Sequence, residues 1–554
     1  MPDPDDQEVT PVAPDESATD EATQAELTPD QATPDGSTPD ESAPSDAREA
    51  DAHPGRARRA ALVGLRVVAG TVGVVAAAAV IGAVGLLPLP AHRIAVPSVT
   101  VTPDPTDQVR VCAGALLRLG DDTGQNANIP SSLGAPSVRG GAIGGDLISE
   151  PLALSDADTG GGSSAPDELT IPPAAGATLA GAQSQVADAP DYTGLAAASC
   201  AEPSGSVWLV GGSTAVGRTT LLTLANPSPV DATVAITILT ASGAVSAPGM
   251  SGIVVKAGAQ RVIPLAGFAP DVQTPVVHVV SRGGQVVGYL QQSIVRGLDA
   301  GGVDLVGAGV APSTHLVIPG VRVFDAVGVN KALALADWDD VAAAVRVAVP
   351  GDKAAKVQVS LVPEDAKLDG LSFEMDVTSG QVSELGLDSA AATDSGGVAI
   401  PDGMYSVVID SDQPVVAGVR VSTAVDPAGG NPAAATSSDT TAPPSDFAWF
   451  GASPALSGDT AVSIAAGPSP MLSAMNPTKA AVTLTLDAQD GGSDLSLAVP
   501  AGGSASVAVA PGVTYLLKGA TGLVAAVSYA GNARLAHYGI SSSGPVSGPI
   551  VIHP

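Results

Sequence analysis

The sequence predicts an all-β protein: tandem Ig-like or fibronectin-like antiparallel sandwich units behind a single N-terminal transmembrane helix and a disordered acidic tail. Three observations predict it. Gly (64) and Pro (47) make up about a fifth of the 554 residues, a composition that favours short strands and turns over helical bundles. Beyond residue 206 apolar positions alternate at period two, as in Thr233-Val234-Ala235-Ile236-Thr237-Ile238-Leu239, the mark of a half-buried strand. One uncharged apolar run near residues 67–88 separates an N-terminal tail, with almost nothing large and apolar from Met1 to Ala47, from the rest.

The tail spans residues 1–59. From Met1 to Ala47 it holds 14 Asp/Glu and no Lys or Arg. Charge repulsion and low hydrophobicity cannot offset the entropy of ordering such a chain. A Thr-Pro-Asp string recurs at period five, giving Thr28, Thr33 and Thr38 as candidate phosphoacceptors. A merely solvated low-complexity tail explains the same composition.

The transmembrane helix is placed at 60–90. Arg48, Arg56, Arg58, Arg59 and Arg66 precede an uncharged run that ends at Pro88, long enough for the roughly 20 residues a bilayer core requires. Only His92 and Arg93 follow closely. The positive-inside rule then puts the N-terminus in the cytoplasm and everything beyond about residue 90 outside. A cleaved signal peptide is the competing reading, but its apolar core is usually shorter and lies near the N-terminus.

Residues 91–205 read as a stalk and a Gly/Ser/Pro-rich segment, with one strand over Gln108–Leu119. The only two cysteines, Cys112 and Cys200, lie beyond the span, where an oxidising compartment permits a bridge. That disulfide would close a loop worth about 4–5 kcal/mol on chain-entropy grounds; two free buried thiols are the alternative. Neither Cys has the spacing of a metal ligand.

Three β units follow, at 206–330, 331–430 and 431–554. Leu224-Ala225-Asn226-Pro227 before DATVAITIL reappears as Ala474-Met475-Asn476-Pro477 before AAVTLTLDA, with a middle copy at Val349-Pro350-Gly351-Asp352 that lacks the Asn. Each copy ends in what reads as a hairpin, VVHVVSRGGQVVGYLQQ, YSVVIDSDQPVVAGVRV or TYLLKGATGLVAAVSYA, and Trp208, Trp338 and Trp449 stand near the three starts. About seven short strands per unit fit a sandwich, with a three-bladed radial array as the alternative. The Asn before Pro fits a turn cap.

Several strings resemble sites. Gly212–Thr219 has phosphate-loop spacing with Arg218 in place of Lys, yet it continues as alternating Thr220-Leu221-Leu222-Thr223-Leu224, a strand rather than the required helix. Asp156, Asp158 and Asp167 are spaced loosely like a calcium loop without its flanking helices. Asp121-Asp122 and Asp337-Trp338-Asp339-Asp340 read as solvated turns. His278, His315, His537 and His553 lack a second His at ligand spacing, and neither a nucleophile elbow nor an H-E-x-x-H pair occurs. The expectation is therefore no enzyme, no cofactor and no metal. With 24 Lys/Arg against 56 Asp/Glu and a formal charge of −32, nucleic acid is excluded as a partner.

Together the acidic tail, the Arg-flanked span, the two cysteines, the WLVGGS-type strand and the ANPS…TVAITIL strings resemble a family of actinobacterial membrane-anchored proteins known only as a domain of unknown function, over roughly residues 108–545. The resemblance implies a cell-envelope protein without an assigned activity and carries over no catalytic residue. Two readings stand: a non-catalytic extracytoplasmic scaffold or binding module facing an envelope polymer or protein partner, and a transmembrane signalling protein with a phosphorylatable tail.

Overall fold

The computed structural model describes residues 99–101, 106–119, 129–157, 164–174, 176–387, 400–425, 442–489, 491–544 and 550–552, together with Thr71. Thr28, Thr33, Thr38 and the expected span apart from Thr71 lie outside the described residues. Among the described residues no helix is long and apolar enough to cross a membrane. The chain divides into two units, 1–96 and 97–554, and the architecture that follows belongs to the second.

That unit is all-β and almost wholly antiparallel. Its first body runs through eight main strands, Ser206–Val210, Arg218–Asn226, Ala232–Thr240, Ser251–Val255, Ala259–Pro264, Val276–Gly283, Val287–Arg296 and Asp299–Val306. The first, sixth, third and fourth form one sheet; the eighth, seventh, second and fifth form the other. Leu209, Ile236 and Val279 from one sheet meet Leu222, Leu224 and Leu290 from the other in a shared core. Alternation dictates this: the third strand buries every second residue from Ala232 to Ile238, so one face goes inward and the other outward.

The same pairing order holds in a second body, from Ser313–Val323 to Ser445–Gly451, and in a third, from Thr460–Ser463 to Arg534–Gly539. Pairing thus delimits the bodies at 206–306, 313–451 and 460–539, so the second starts before and ends after the expected 331–430 and the third starts after 431. Trp449 falls on the last strand of the second body, Trp338 between its first two strands and Trp208 on the first strand of the first. The three tryptophans are therefore not equivalent.

The expected closing hairpins are not hairpins. In the first and third bodies the two strands enter opposite sheets. In the second they are one strand of 22 residues, Gly403–Ala424, that crosses from one sheet to the other through Pro414. The reason lies in burial. From Val287 to Ser293 every residue of the seventh strand is buried, as is every residue from Val415 to Ala424. A strand covered on both faces packs at the centre of the molecule, not as the solvated arm of a hairpin.

Residues 106–205, read as a stalk and linker, contain two further three-stranded sheets. Gln108–Val111, Asp167–Ile171 and Ile148–Pro151 form one; Ser137–Ile143, Thr178–Ala189 and Tyr192–Ser199 form the other. The expected strand over Gln108–Leu119 is broken into Gln108–Val111 and Leu117–Leu119 around Gly114, whose φ of +83° only glycine adopts without strain. This segment is a wedge. Ala196 and Ala198 join Tyr289 and Val303 of the first body, while Leu195 and Ala197 join the third body's core. The Cys112–Cys200 disulfide closes it, across a sequence separation of 88.

Candidate functional site

Four arginines gather where the first and second bodies face each other, although they are separated by 202 positions along the chain from Arg218 to Arg420. Two sit on one sheet of the second body. Arg346 is centred in the buried strand Ala344–Ala348, directly beside Glu384 on one flank and beside Gly418 on the other. Arg420 pairs across to Trp449 on the last strand. From the first body, Arg218 opens the second strand and Arg296 ends the seventh.

Two carboxylates serve them. Asp340 receives Arg218 through Nε at 3.1 Å and Nη2 at 2.6 Å on one oxygen, and Arg296 through Nε at 2.9 Å and Nη2 at 2.6 Å on the other. Such fork-like pairing is the strong form of an ion pair. Glu384 accepts from Arg346 Nε at 2.7 Å, while Arg420 Nη1 stays 3.9 Å away. Arg346, fully buried, also donates to the carbonyls of Gly212, Pro275 and Gln273. The guanidinium groups of Arg296 and Arg346 lie 4.3 Å over the rings of Trp338 and Trp449, a cation–π arrangement. The Trp449 indole donates to Gln292 Oε1 at 2.8 Å.

The electrostatics follow. Burial raises both carboxyls, but at Asp340 the fields of Arg296 and Arg218 outweigh it, and at Glu384 those of Arg346 and Arg420 do, so both end below the ordinary carboxylate range. Burial lowers Arg296 and Arg346 from the usual arginine value. Between the bodies lies a cleft of about 880 Å³ lined by Ser213, Val216, Arg218, Arg296, Asp340 and Arg420 among others, with Asp337 and Asp339 also on its wall.

The sites expected from sequence distribute as follows. Cys112 and Cys200 are bonded to each other. The phosphate-loop look-alike leads into the strand Arg218–Asn226, and its amides are spent internally. Ser213 N–H goes to Thr220 Oγ1, Thr214 N–H to the Val272 carbonyl, Ala215 N–H to Ser213 Oγ and Arg218 N–H to the Ala215 carbonyl. No amide of these four is left for a phosphate. Asn226 and Asn476 are fully buried caps. Asn226 Nδ2 donates to the carbonyls of Val230 and Val255 and its Oδ1 accepts from Ser228 N; Asn476 does the same with Ala480, Val499 and Thr478.

Of the calcium-loop acids, Asp156 lies 3.9 Å from Arg261 and Asp167 is raised by burial; Asp158 is outside the described residues, as are Asp121, Asp122 and His553. Among the described residues no group of three or more His, Cys, Asp or Glu is set to hold a metal. His278 stacks on Trp208 at 3.9 Å and bonds Ser206 Oγ. His315 pairs with Asp410 at 2.7 Å, and His537 is buried against Phe450 with its pKa lowered by burial to about 3.

The turn containing Asp337-Trp338-Asp339-Asp340 is only in part a solvated one, since Asp340 is the carboxylate that joins two arginines and Trp338 is buried beneath one of them. The arginines themselves were missed because each is a lone charge in a different strand. Their one sequence signal is a charge set inside a valine run, Val345-Arg346-Val347 and Val419-Arg420-Val421, where a buried strand can accept it only with a partner.

A sequence model described as "Family of unknown function (DUF5719)" matches residues 158–512. No curated protein matches the chain. Among solved structures, the crystal structure of Thermotoga maritima 1070 is 19% identical over 21% of this chain and 84% of its own, with a TM-score of 0.16, a likeness too slight to argue from.

Proposed function

The chain belongs to that family of unknown function, so its role has to be argued from its own residues, and we propose that it is a single-pass membrane-anchored protein whose β bodies act outside the membrane as a non-catalytic cell-envelope scaffold or binding module. The observation that carries this reading is the Cys112–Cys200 disulfide, because such bonds form and persist in oxidising compartments. The Arg-flanked apolar run at 67–88 supports the anchor, with the N-terminus cytoplasmic. In this reading the bodies are Ig-like or fibronectin-like units in tandem; the shared pairing order and the matched bonds of Asn226 and Asn476 support that. The Lys-poor, Ala/Val/Gly-rich usage supports an actinobacterial source.

Protease added to intact cells tests the topology. Digestion of 97–554 with the tail protected is the expected result, whereas a full-length chain in the soluble fraction overturns it. Crosslinking on intact cells is expected to retrieve envelope polymer or protein, and repeated retrieval of nothing removes the module role. The period-five repeat favours one second reading, a signalling protein whose tail is phosphorylated at Thr28, Thr33 and Thr38. Unmodified threonines under every growth condition would sink it.

A further inference from the structure

Resting on the binding-module reading, we propose that the cleft between the first two bodies takes the end of a peptide: a free carboxylate seated on Arg420 and an ammonium group a few bonds away facing Asp337 and Asp339.

The floor of the cleft is short of anions. Four arginines share two carboxylates, and the sharing is uneven. Both oxygens of Asp340 are taken by Arg218 and Arg296. Glu384 is committed to Arg346 at 2.7 Å. Arg420 is left with Glu384 at 3.9 Å, beyond hydrogen-bonding reach, one long bond of 3.4 Å to the Ala342 carbonyl, and the Trp449 ring 5.8 Å away. Its Nε is buried without an acceptor, and its side chain is only 10% exposed. A guanidinium held this deep with so little to donate to is costly. A carboxylate is the shape that a guanidinium edge receives best.

The wall argues for more than an anion. Asp337 and Asp339 are exposed and line the same cleft. With a chain charge of −32 behind them, they repel an extended polyanion; the arginine floor repels a simple cation. A ligand that carries both charges close together meets both surfaces. At the cleft Val216 is 86% exposed, and Leu298, the residue after the lining Gly297, is 93% exposed. Two bare apolar tips beside a charged cleft fit an apolar side chain next to the ligand's charged end. Capture of a terminal carboxylate is a recurring mode of peptide recognition.

Calorimetry on the full-length chain tests this with the tripeptide Ala-Leu-Lys. The peptide with a free carboxylate is expected to bind. Amidating its C-terminus should weaken it by about tenfold or more, and so should Arg420→Gln, on which amidation should then have no further effect. Asp337→Asn with Asp339→Asn, both at exposed positions that leave the fold intact, should weaken the free peptide but not a version with both amines acetylated. Equal binding of free and amidated peptide, an undiminished amidation effect on Arg420→Gln, or inorganic phosphate binding as tightly as the peptide overturns the proposal. A chain that ignores the peptide yet still retrieves envelope material on cells overturns this assignment alone; one that retrieves nothing removes the module reading.

Discussion

Two buried charged sites share the strand Ser445–Gly451, and they are stabilised in opposite ways. At Asp446 a fully buried carboxyl meets no cation. It accepts the backbone N–H of Leu195 at 2.8 Å, Val303 at 3.2 Å and Leu535 at 2.9 Å, drawn from the wedge, the first body and the third. Burial outweighs these bonds and drives its pKa well above the carboxylate range. Three residues on, Trp449 lies under Arg346, where guanidinium groups keep Glu384 and Asp340 ionised. At Asp446 the backbone amides do not make up for the lost solvation, whereas at Glu384 and Asp340 the paired guanidinium groups do. One site pins four strands together, and the other leaves a charge free to meet something new.

The largest expected effect tests the arginine side. Arg346→Ala leaves Glu384 without its close partner and three carbonyls, two of them buried, without this donor, a loss of about 3–5 kcal/mol in denaturant unfolding. Arg346→Met keeps most of the volume and removes the charge that had to be desolvated, so it should recover part of that loss. If methionine costs as much as alanine, hydrogen bonding to the three carbonyls dominates and the comparison must be redrawn around bonds instead of charge.

Next comes Asp446. Asp446→Ala strands three buried amides, at a cost of about 3 kcal/mol given that buried donors are expensive to leave unpaired. Asp446→Asn resembles the protonated acid that burial already favours and should cost about 1 kcal/mol. Similar losses for the two variants would mean that the carboxyl is ionised in place, against the contrast drawn here.

A smaller and graded effect is a pH dependence from Asp304, whose Oδ2 accepts the Trp449 amide at 2.7 Å while its other oxygen is buried without a partner. Burial raises it to about 7 from an ordinary 3.8. Between those values the folded state holds a proton that the unfolded chain has lost, so stability should fall as pH rises from about 4 to 7, by at most about 1.4 kcal/mol per unit. Asp340 and Glu384 act in the other direction: their contribution is present above the unfolded carboxylate values and is lost only as pH falls through their lowered folded ones. Thermal unfolding of Asp304→Asn should show the slope between pH 4 and 7 reduced, with the remainder left to the likewise raised Asp446, and the acid limb intact.

How much of this was legible follows from where the pattern is clean. The third strand of the first body could be read almost to the residue, because Thr and Ala alternate with buried Val and Ile. The wedge could not. Thr178–Ala189 is a 12-residue strand written mostly in Ala, Gly, Gln and Ser and buried along its first eight positions, so it offers no alternation and only two β-branched residues, Thr178 and Val186. The crossing strands were misread as hairpins because a turn-like Gly-Gly or Asp-Gln-Pro between apolar runs signals proximity in sequence, not which sheet each run enters. The disulfide was legible from the count of two cysteines. The arginine cleft was not, since its four charges come from four strands and meet only after both bodies have folded.

The smallest effect bears on whether matched motifs carry matched energies. Asn226 and Asn476 each tie the end of the second strand to the turn that follows, and the second body manages with Val349, whose own amide and carbonyl bond Gln381 and Gly380. The Asn bonds are therefore additions to a turn that the backbone can already form, and alanine at either site should cost about 1–2 kcal/mol. The two should differ. Asn226 holds the Val255 carbonyl at 3.0 Å, whereas Asn476 reaches Val499 only at 3.5 Å and shares the Ala480 carbonyl with Thr478 Oγ1 at 3.1 Å. Asn476→Ala leaves that threonine in place to hold the turn, while the Ser228 hydroxyl bonds the Gln285 carbonyl at 3.4 Å and takes no part in its own turn. Denaturant unfolding should then rank Asn226→Ala as the costlier change. A reversed ranking would mean that the longer bond in the third body is the stronger constraint, and that likeness of geometry between the bodies says little about how firmly each is held.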